Sequence, residues 1–441
     1  MNIRLLPLFA IPLTALIGCQ STSQQSAPVP KSAQHTQPPP RAAALHRGAI
    51  TRKQAFQNVV RHSPRIQSLE AEIRARQAEA YQATLPPNPS FEFEAENFGG
   101  TGETNGFSGA ELTTGLSQEI QLGGKRRKRT RVAQLEADSL QAELSRVKLS
   151  LQIATDQKFV DLLEAQGLTQ LAKEGVRIAE ERLAAMTAQL DAGKISRLDV
   201  NKASIALSSA KQELRRQEAE TSRAASALGR LWGGDGTKIT RADGTLNSSA
   251  SIASWPQIQS AISRHPALSR TQIELARSEA TLEVEKAERI PNIELGGGLR
   301  ELRESDDTAA VIGFTIPLPI FDRNQGGIRA AEERIVRAGS DQADTRSGLL
   351  AQYRQLHAET LSARDRVRAL NSGMIDAARQ SFDDNQTAYL EGKRDFIEYL
   401  DAQRTFFEVR RQQVQAKAEL RRAKVAIDHL LNYHPSSNFR K

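Results

Sequence analysis

The residues best placed to do chemistry lie in two matching stretches, Leu190 to Ala203 and Tyr389 to Ala402. Each holds a Gly-Lys pair, Gly193-Lys194 or Gly392-Lys393, then an aliphatic residue and an acid, Leu198-Asp199 or Ile397-Glu398, then an alanine. Glycine can end a helix in a left-handed conformation, and Ser196 or Asp395 can cap the helix that follows. The acids then fall in its first turn, where the helix dipole favours negative charge. Both stretches read as tips of helical hairpins, and their recurrence 199 residues apart marks an internal repeat. Acids at such tips have two uses. Repeated around a symmetric narrowing they form a ring that attracts cations; on isolated tips they only cap solvated helices.

Other chemistry is sparse. The seven histidines are scattered, His429 and His434 form no paired motif, and methionine occurs only at Met1, Met186 and Met374, so metal ligation by the chain is not expected. No cluster of nucleophile, base and orienting group and no phosphate loop is visible, which argues against an enzyme, an envelope hydrolase included. Cysteine occurs once, at Cys19, which excludes an internal disulfide and a Cys-based metal site. Before it come Arg4, an apolar run from Leu5 to Leu16 and the small Gly18, the order an export signal requires; the run is short for a spanning helix. Leu16-Ile17-Gly18-Cys19 resembles a bacterial lipobox. That resemblance implies cleavage before Cys19 and lipid on its sulfur and new amino terminus, and Gln20 fits outer-membrane sorting by the same analogy. No cofactor is expected beyond this covalent lipid.

The elements that must position these groups are helical. In 441 residues aromatic content is 5% and mean hydropathy is −0.49, low for a large globular core; Ala, Gln, Arg, Glu and Leu in helical periodicity indicate long helices packed through narrow seams. Lysine and arginine outnumber acids by 60 to 52. The two signs interleave at helical spacings and no nucleic-acid motif is present, so a solvated surface is expected and nucleic acid is not.

Residues 1–18 read as the signal peptide and 19–49, with Pro38-Pro39-Pro40, as a flexible tether. A first repeat spans 50–245. Its opening helix stops at Pro86-Pro87-Asn88-Pro89, and a strand hairpin over 90–122 follows, where Phe91, Phe93 and Ala95 alternate with Glu92, Glu94 and Glu96, and Leu112, Leu116, Ile120 and Leu122 with Glu111, Thr113, Ser117, Glu119 and Gln121. After Gly123-Gly124, the basic run Lys125, Arg126, Arg127, Lys128 and Arg129 opens a helix to about Leu190, with Leu140, Leu144, Val147, Leu151 and Ala154 spaced as a coiled-coil seam. A helix rich in small residues returns to about Trp232. The second repeat, 252–441, follows the same plan: Ser263-Arg264-His265-Pro266 answers Arg61-His62-Ser63-Pro64, a strand hairpin occupies 292–320 with a polar loop from Glu301 to Thr308, a long helix runs to about Leu390 and a last one from about Asp395 to Leu431.

Strands with one apolar face suit a membrane barrel wall, where about 9–11 residues cross the bilayer. Four strands cannot close, and open edges do not persist in lipid, so several chains must contribute. Three copies would give twelve strands over a helical tube. The alternative is a four-stranded sheet capping a soluble helical protein. In the first case Glu92, Glu94, Glu96, Glu111 and Glu119 face a lumen and Lys125 to Arg129 lie near lipid headgroups; in the second both sets are merely solvated.

The double repeat, Gly124-Lys125-Arg126, the run from Pro317 through Phe321-Asp322-Arg323-Asn324-Gln325 to Gly326, and the twin tips resemble the TolC family of outer-membrane efflux proteins, over about residues 50 to 432. The two runs are most similar to its CzcC-like branch, which serves heavy-metal RND pumps. The resemblance implies a mostly α chain with membrane β structure: a homotrimeric channel-tunnel, with a twelve-stranded barrel in the outer membrane, four strands per chain, over a long periplasmic helical barrel. It implies a periplasmic adaptor and an inner-membrane RND pump as partners, and a passive gated duct for divalent heavy-metal cations. It also carries over a periplasmic gate: Arg394 as a latch, Glu398 and Asp401 as acidic ring positions, and Asp199 as the acid the arginine meets. Glu398 stands where the family more often has Asp, which bears on the ring's radius. A drug-efflux or type I secretion channel, and from another class a periplasmic coiled-coil adaptor or scaffold, remain alternatives.

Overall fold

The computed structural model describes residues 48–248 and 251–433. The signal peptide, Cys19, all but the end of the tether, and His434 lie outside the described residues.

The chain enters as a short strand, β1 (Gly48–Thr51), and turns into α1 (Arg52–His62) at a capping box: the Thr51 hydroxyl accepts from the Gln54 N–H at 3.3 Å, and Gln54 Oε1 accepts from the Thr51 N–H at 2.9 Å. Pro64 opens α2 (Pro64–Gln82), so the opening helix is two helices, broken where proline lacks an N–H. The hairpin of β2 (Ser90–Glu96) and β3 (Glu111–Ile120) leads to α3 (Lys125–Asp191), whose 67 residues reach about 100 Å, and α4 (Arg197–Gly229) returns along it. A short strand, β4 (Ile239–Asp243), pairs in parallel with β1. Then follow α5 (Trp255–Ile262), α6 (Pro266–Glu288), β5 (Ile293–Leu302), β6 (Asp307–Thr315), α7 (Gln325–Ala369), α8 (Ile375–Leu390) and α9 (Phe396–Leu431).

β2, β3, β5 and β6 form one antiparallel sheet in that order, so β3 and β5, from the two halves of the chain, are neighbours and β2 and β6 are edges. Three boundaries differ from the sequence reading. β6 stops at Thr315 rather than continuing to 320, because Pro317 and Pro319 have no N–H to give a ladder. The loop between β5 and β6 is only 303–306, with Asp306 at φ 59°. The helix expected to run to Leu390 is interrupted: Ser372 (φ −86°, ψ 40°) and Gly373 (φ 112°, ψ −18°) leave helical geometry between α7 and α8.

Of the seam read from the sequence, Leu144, Val147 and Leu151 are buried and Leu140 packs against them, while Ala154 is only half-buried. Leu144, Val147 and Leu151 of α3 join Ile50, Val59, Ile66, Leu228 and Trp232 in one cluster, and Ile258, Leu268, Tyr353, Ile427 and Leu430 form a second around α5, α6, α7 and α9.

Candidate functional site

Register assigns the sheet its two faces. Glu92, Glu94 and Glu96 lie across from Gly115, Thr113 and Glu111, and on β5 Arg300 faces Thr113 and Glu294 faces Glu119. Directly paired residues share a face, so all five glutamates singled out in the sequence are together, joined by Glu294. Arg300 sits among them, 2.8 Å from Glu111 and 3.5 Å from Glu96. The Ser117 hydroxyl is 2.7 Å from Glu92 and 2.9 Å from Glu294.

The opposite face is apolar and bare. Phe91 is 71% exposed, Ile312 83% and Phe314 73%, and Phe93, Leu116, Leu295 and Leu299 are exposed beside them. A contiguous apolar surface of this kind marks contact with lipid or protein rather than water. Among the described residues no helix is long and apolar enough to cross a membrane.

Where β3 passes into α3, the basic run divides. Lys125 is buried, with Nζ 3.3 Å from Glu288 and donating to Asn292 Oδ1 at 2.8 Å; Lys128 reaches Glu283 at 3.4 Å and Arg129 reaches Glu288 at 2.8 Å. These three tie α3 to α6. Arg126 and Arg127 are exposed and have no ion pair among the described residues.

Gly193 (φ 68°) and Gly392 (φ 74°) turn the chain at the two tips. Ser196 caps α4, with Oγ accepting from the Asp199 N–H at 3.3 Å and donating to Asp199 Oδ2 at 2.8 Å, and Lys202 Nζ lies 3.3 Å from Oδ1. The Ser196 hydroxyl foremost, with Lys202, holds the Asp199 carboxyl below its ordinary range. Arg394 pairs with Glu398, four residues on, and not with Asp199 of its own chain. Asp401 is exposed without an ion pair among the described residues.

Behind the second tip stands a group the sequence reading missed. Phe382, Tyr389, Phe396, Tyr399 and Phe406 form a wall of rings with centroids 5.4 to 5.9 Å apart. Arg182 of α3 lies over two of them, 4.4 Å from the Tyr399 centroid and 5.4 Å from that of Tyr389. The signal was present, since positions 382, 389, 396, 399 and 406 repeat at heptad-like spacing in a chain poor in aromatics. Another missed contact is a hub at Asp156, whose buried carboxylate meets His429 Nε2 at 2.7 Å and Arg52 at 3.3 Å. Among the described residues no group of three or more His, Cys, Asp or Glu is arranged to hold a metal ion. A cleft of about 840 Å³ runs between α3, α4 and α9, with Leu171, Ile205, Ile397 and Phe407 in its walls.

A family model described as outer membrane efflux protein matches residues 55–234 and again residues 257–433. The cobalt-zinc-cadmium resistance protein CzcC of Cupriavidus metallidurans is 28% identical over 392 residues, covering 89% of this chain and 91% of that protein. The nickel-cobalt-cadmium resistance protein NccC of Alcaligenes xylosoxydans xylosoxydans is 28% identical over 279 residues, 63% of this chain and 62% of that one. Among solved structures, one of CusC, described with conformational changes accompanying folding and transmembrane channel formation, superposes with a TM-score of 0.73 at 17% identity, over 87% of this chain and 92% of that one.

Proposed function

The chain belongs to the outer membrane efflux protein family, and we propose from its geometry that three copies form a passive, gated duct exporting divalent heavy-metal cations. The observation that carries this reading is the four-stranded sheet, with two unpaired edges, one exposed apolar face and one face of glutamates. An open edge in lipid leaves backbone groups without partners at several kcal/mol each, so the edges β2 and β6 must meet strands of other copies. Three copies of four strands give a twelve-stranded barrel of reasonable bore. The apolar face then meets lipid, and Glu92, Glu94, Glu96, Glu111 and Glu119 line the lumen. α3 and α4, with α7, α8 and α9, build the helical barrel below, and the two spans 50–245 and 252–441 are its internal repeats. A periplasmic adaptor joins the duct to an inner-membrane RND pump, which supplies the energy. Arg126 and Arg127 face lipid headgroups at the rim. Cys19 carries the lipid anchor.

At the tips, Glu398 and Asp401 in threefold array form a ring that draws cations, while Asp199 and Arg394 adjust the closure between neighbouring copies. The cargo assignment is supported by the metals in the relatives' names, cobalt, zinc, cadmium and nickel, and by the acidic sheet face. A periplasmic adaptor or scaffold would have no use for a bare apolar sheet face. Deleting the gene and testing susceptibility to zinc, cobalt, cadmium, nickel, copper and organic drugs checks the cargo. Sensitisation to one or more metals is expected; sensitisation to drugs and to no metal would overturn the metal assignment in favour of a drug-type channel.

A further inference from the structure

Arg182 is 9% exposed, has no carboxylate partner among the described residues, and its Nε meets no acceptor. Tyr399, over which it lies, is fully buried and its hydroxyl likewise has no partner. A largely buried guanidinium whose Nε has neither water nor acceptor is costly. Here the negative faces of the Tyr399 and Tyr389 rings, at 4.4 and 5.4 Å, take the counter-charge's place.

The arrangement joins separate elements. Arg182 belongs to α3, the rising arm of the first hairpin; Tyr389 ends α8 and Tyr399 begins α9, the two arms of the second. Tyr389, Phe396 and Tyr399 hold one another at 5.5 to 5.9 Å, so the second tip presents a fixed ring surface to the guanidinium. Because the pairing is buried and lacks an ion pair, it is favourable only while the rings cover the cation. Once the tips part, the guanidinium loses the ring faces, and Met186 and Ala203 of the first hairpin part from the same rings in that movement. Such a contact is suited to two positions, held and released, with little between them.

We propose that Arg182 is a positioning residue of the gate, a clasp that holds the second hairpin tip against the first, and that its withdrawal from the tyrosine faces is the step that widens this end of the duct. This rests on the duct reading given above. It differs from the charges at Asp199, in the first turn of α4, and at the exposed Arg394 in acting through ring faces.

The test uses the full-length protein in detergent and in planar bilayers. Arg182→Met keeps the length and packing of the side chain and removes its charge; Arg182→Lys keeps a cation, and Tyr399→Phe keeps a ring face while removing the orphan hydroxyl. Hydrogen exchange over residues 183–203 and 385–402 reads the clasp, and single-channel conductance reads the gate. Arg182→Met should raise tip exchange by roughly 5- to 30-fold and increase conductance, with the melting temperature of the helical body unchanged, whereas Arg182→Lys and Tyr399→Phe stay close to the parent. Should Arg182→Met fail to fold, Tyr389→Leu, at a half-buried site, removes a ring face and is expected to act in the same way. Unchanged exchange, or raised exchange with unchanged conductance, would overturn the proposal. A parent protein that conducts nothing would overturn the duct itself and with it any gating by Arg182, an outcome separable from failure of the variants alone.

Discussion

His265 shows how one side chain ties stability to pH. It precedes Pro266 at the start of α6, its Nδ1 accepts the Ala267 N–H at 3.2 Å, and its ring meets the edge of Tyr353 at 6.1 Å. Burial, aided by the positive charge of Arg146, lowers its pKa from 6.5 to about 4. The unfolded chain therefore takes up this proton first as pH falls. The contribution is fully present above pH 6.5 and is lost progressively between 6.5 and about 4, a change of about 3 kcal/mol. His265→Asn keeps a capping acceptor and removes the titration. Its thermal stability should be flatter over that window than the parent's, as calorimetry at stepped pH would show; parallel curves would contradict this account. The matching position in the first half is Ser63, which precedes Pro64 but makes no side-chain cap. Sequence spacing was enough to align these two positions and to place Asp199 and Glu398 in first turns. It did not reveal that Arg394 turns to Glu398 four residues on, nor that Arg182 is buried, because those depend on which helix packs beside which.

Among the elements, α7 and α8 are the most informative, since the sequence pattern reads as one helix and the structure has two. Gly373 occupies φ 112°, a region that costs an L side chain strain, although a Cβ there would meet nothing within 4 Å. Gly339 and Gly348, inside α7, also have open space around a Cβ but lie in helical backbone. Gly339→Ala or Gly348→Ala should therefore stabilise by about 0.5–1 kcal/mol, and Gly373→Ala should destabilise by about 1 kcal/mol or more. Melting temperatures in detergent check this; the same sign at all three sites would mean that the break is not built in. Strand identity was legible because period-two alternation is a local signal. The end of β6 was misplaced because alternation continues through Pro317 and Pro319, where the ladder cannot. The pairing of β1 with β4 was missed altogether, since strands of four and five residues joined across the first half carry little local pattern.

At the scale of the molecule, the sequence carries the long helices, the two tips and the two-faced strands, and together these pointed to the outer membrane efflux family that the chain belongs to. What a single chain leaves incomplete is the sheet, whose edges β2 and β6 have no partners within it and whose apolar face is bare. That incompleteness is the physical ground for the proposed assembly, because bare edges do not persist in lipid and a bare apolar face does not persist in water. The most direct measurement is the protein mass of the detergent-extracted particle by light scattering, corrected for bound detergent, with circular dichroism on the same sample. A mass near three times that of the mature chain, with β signal alongside dominant helix, is the predicted result; a monomer that stays soluble without detergent would contradict the account.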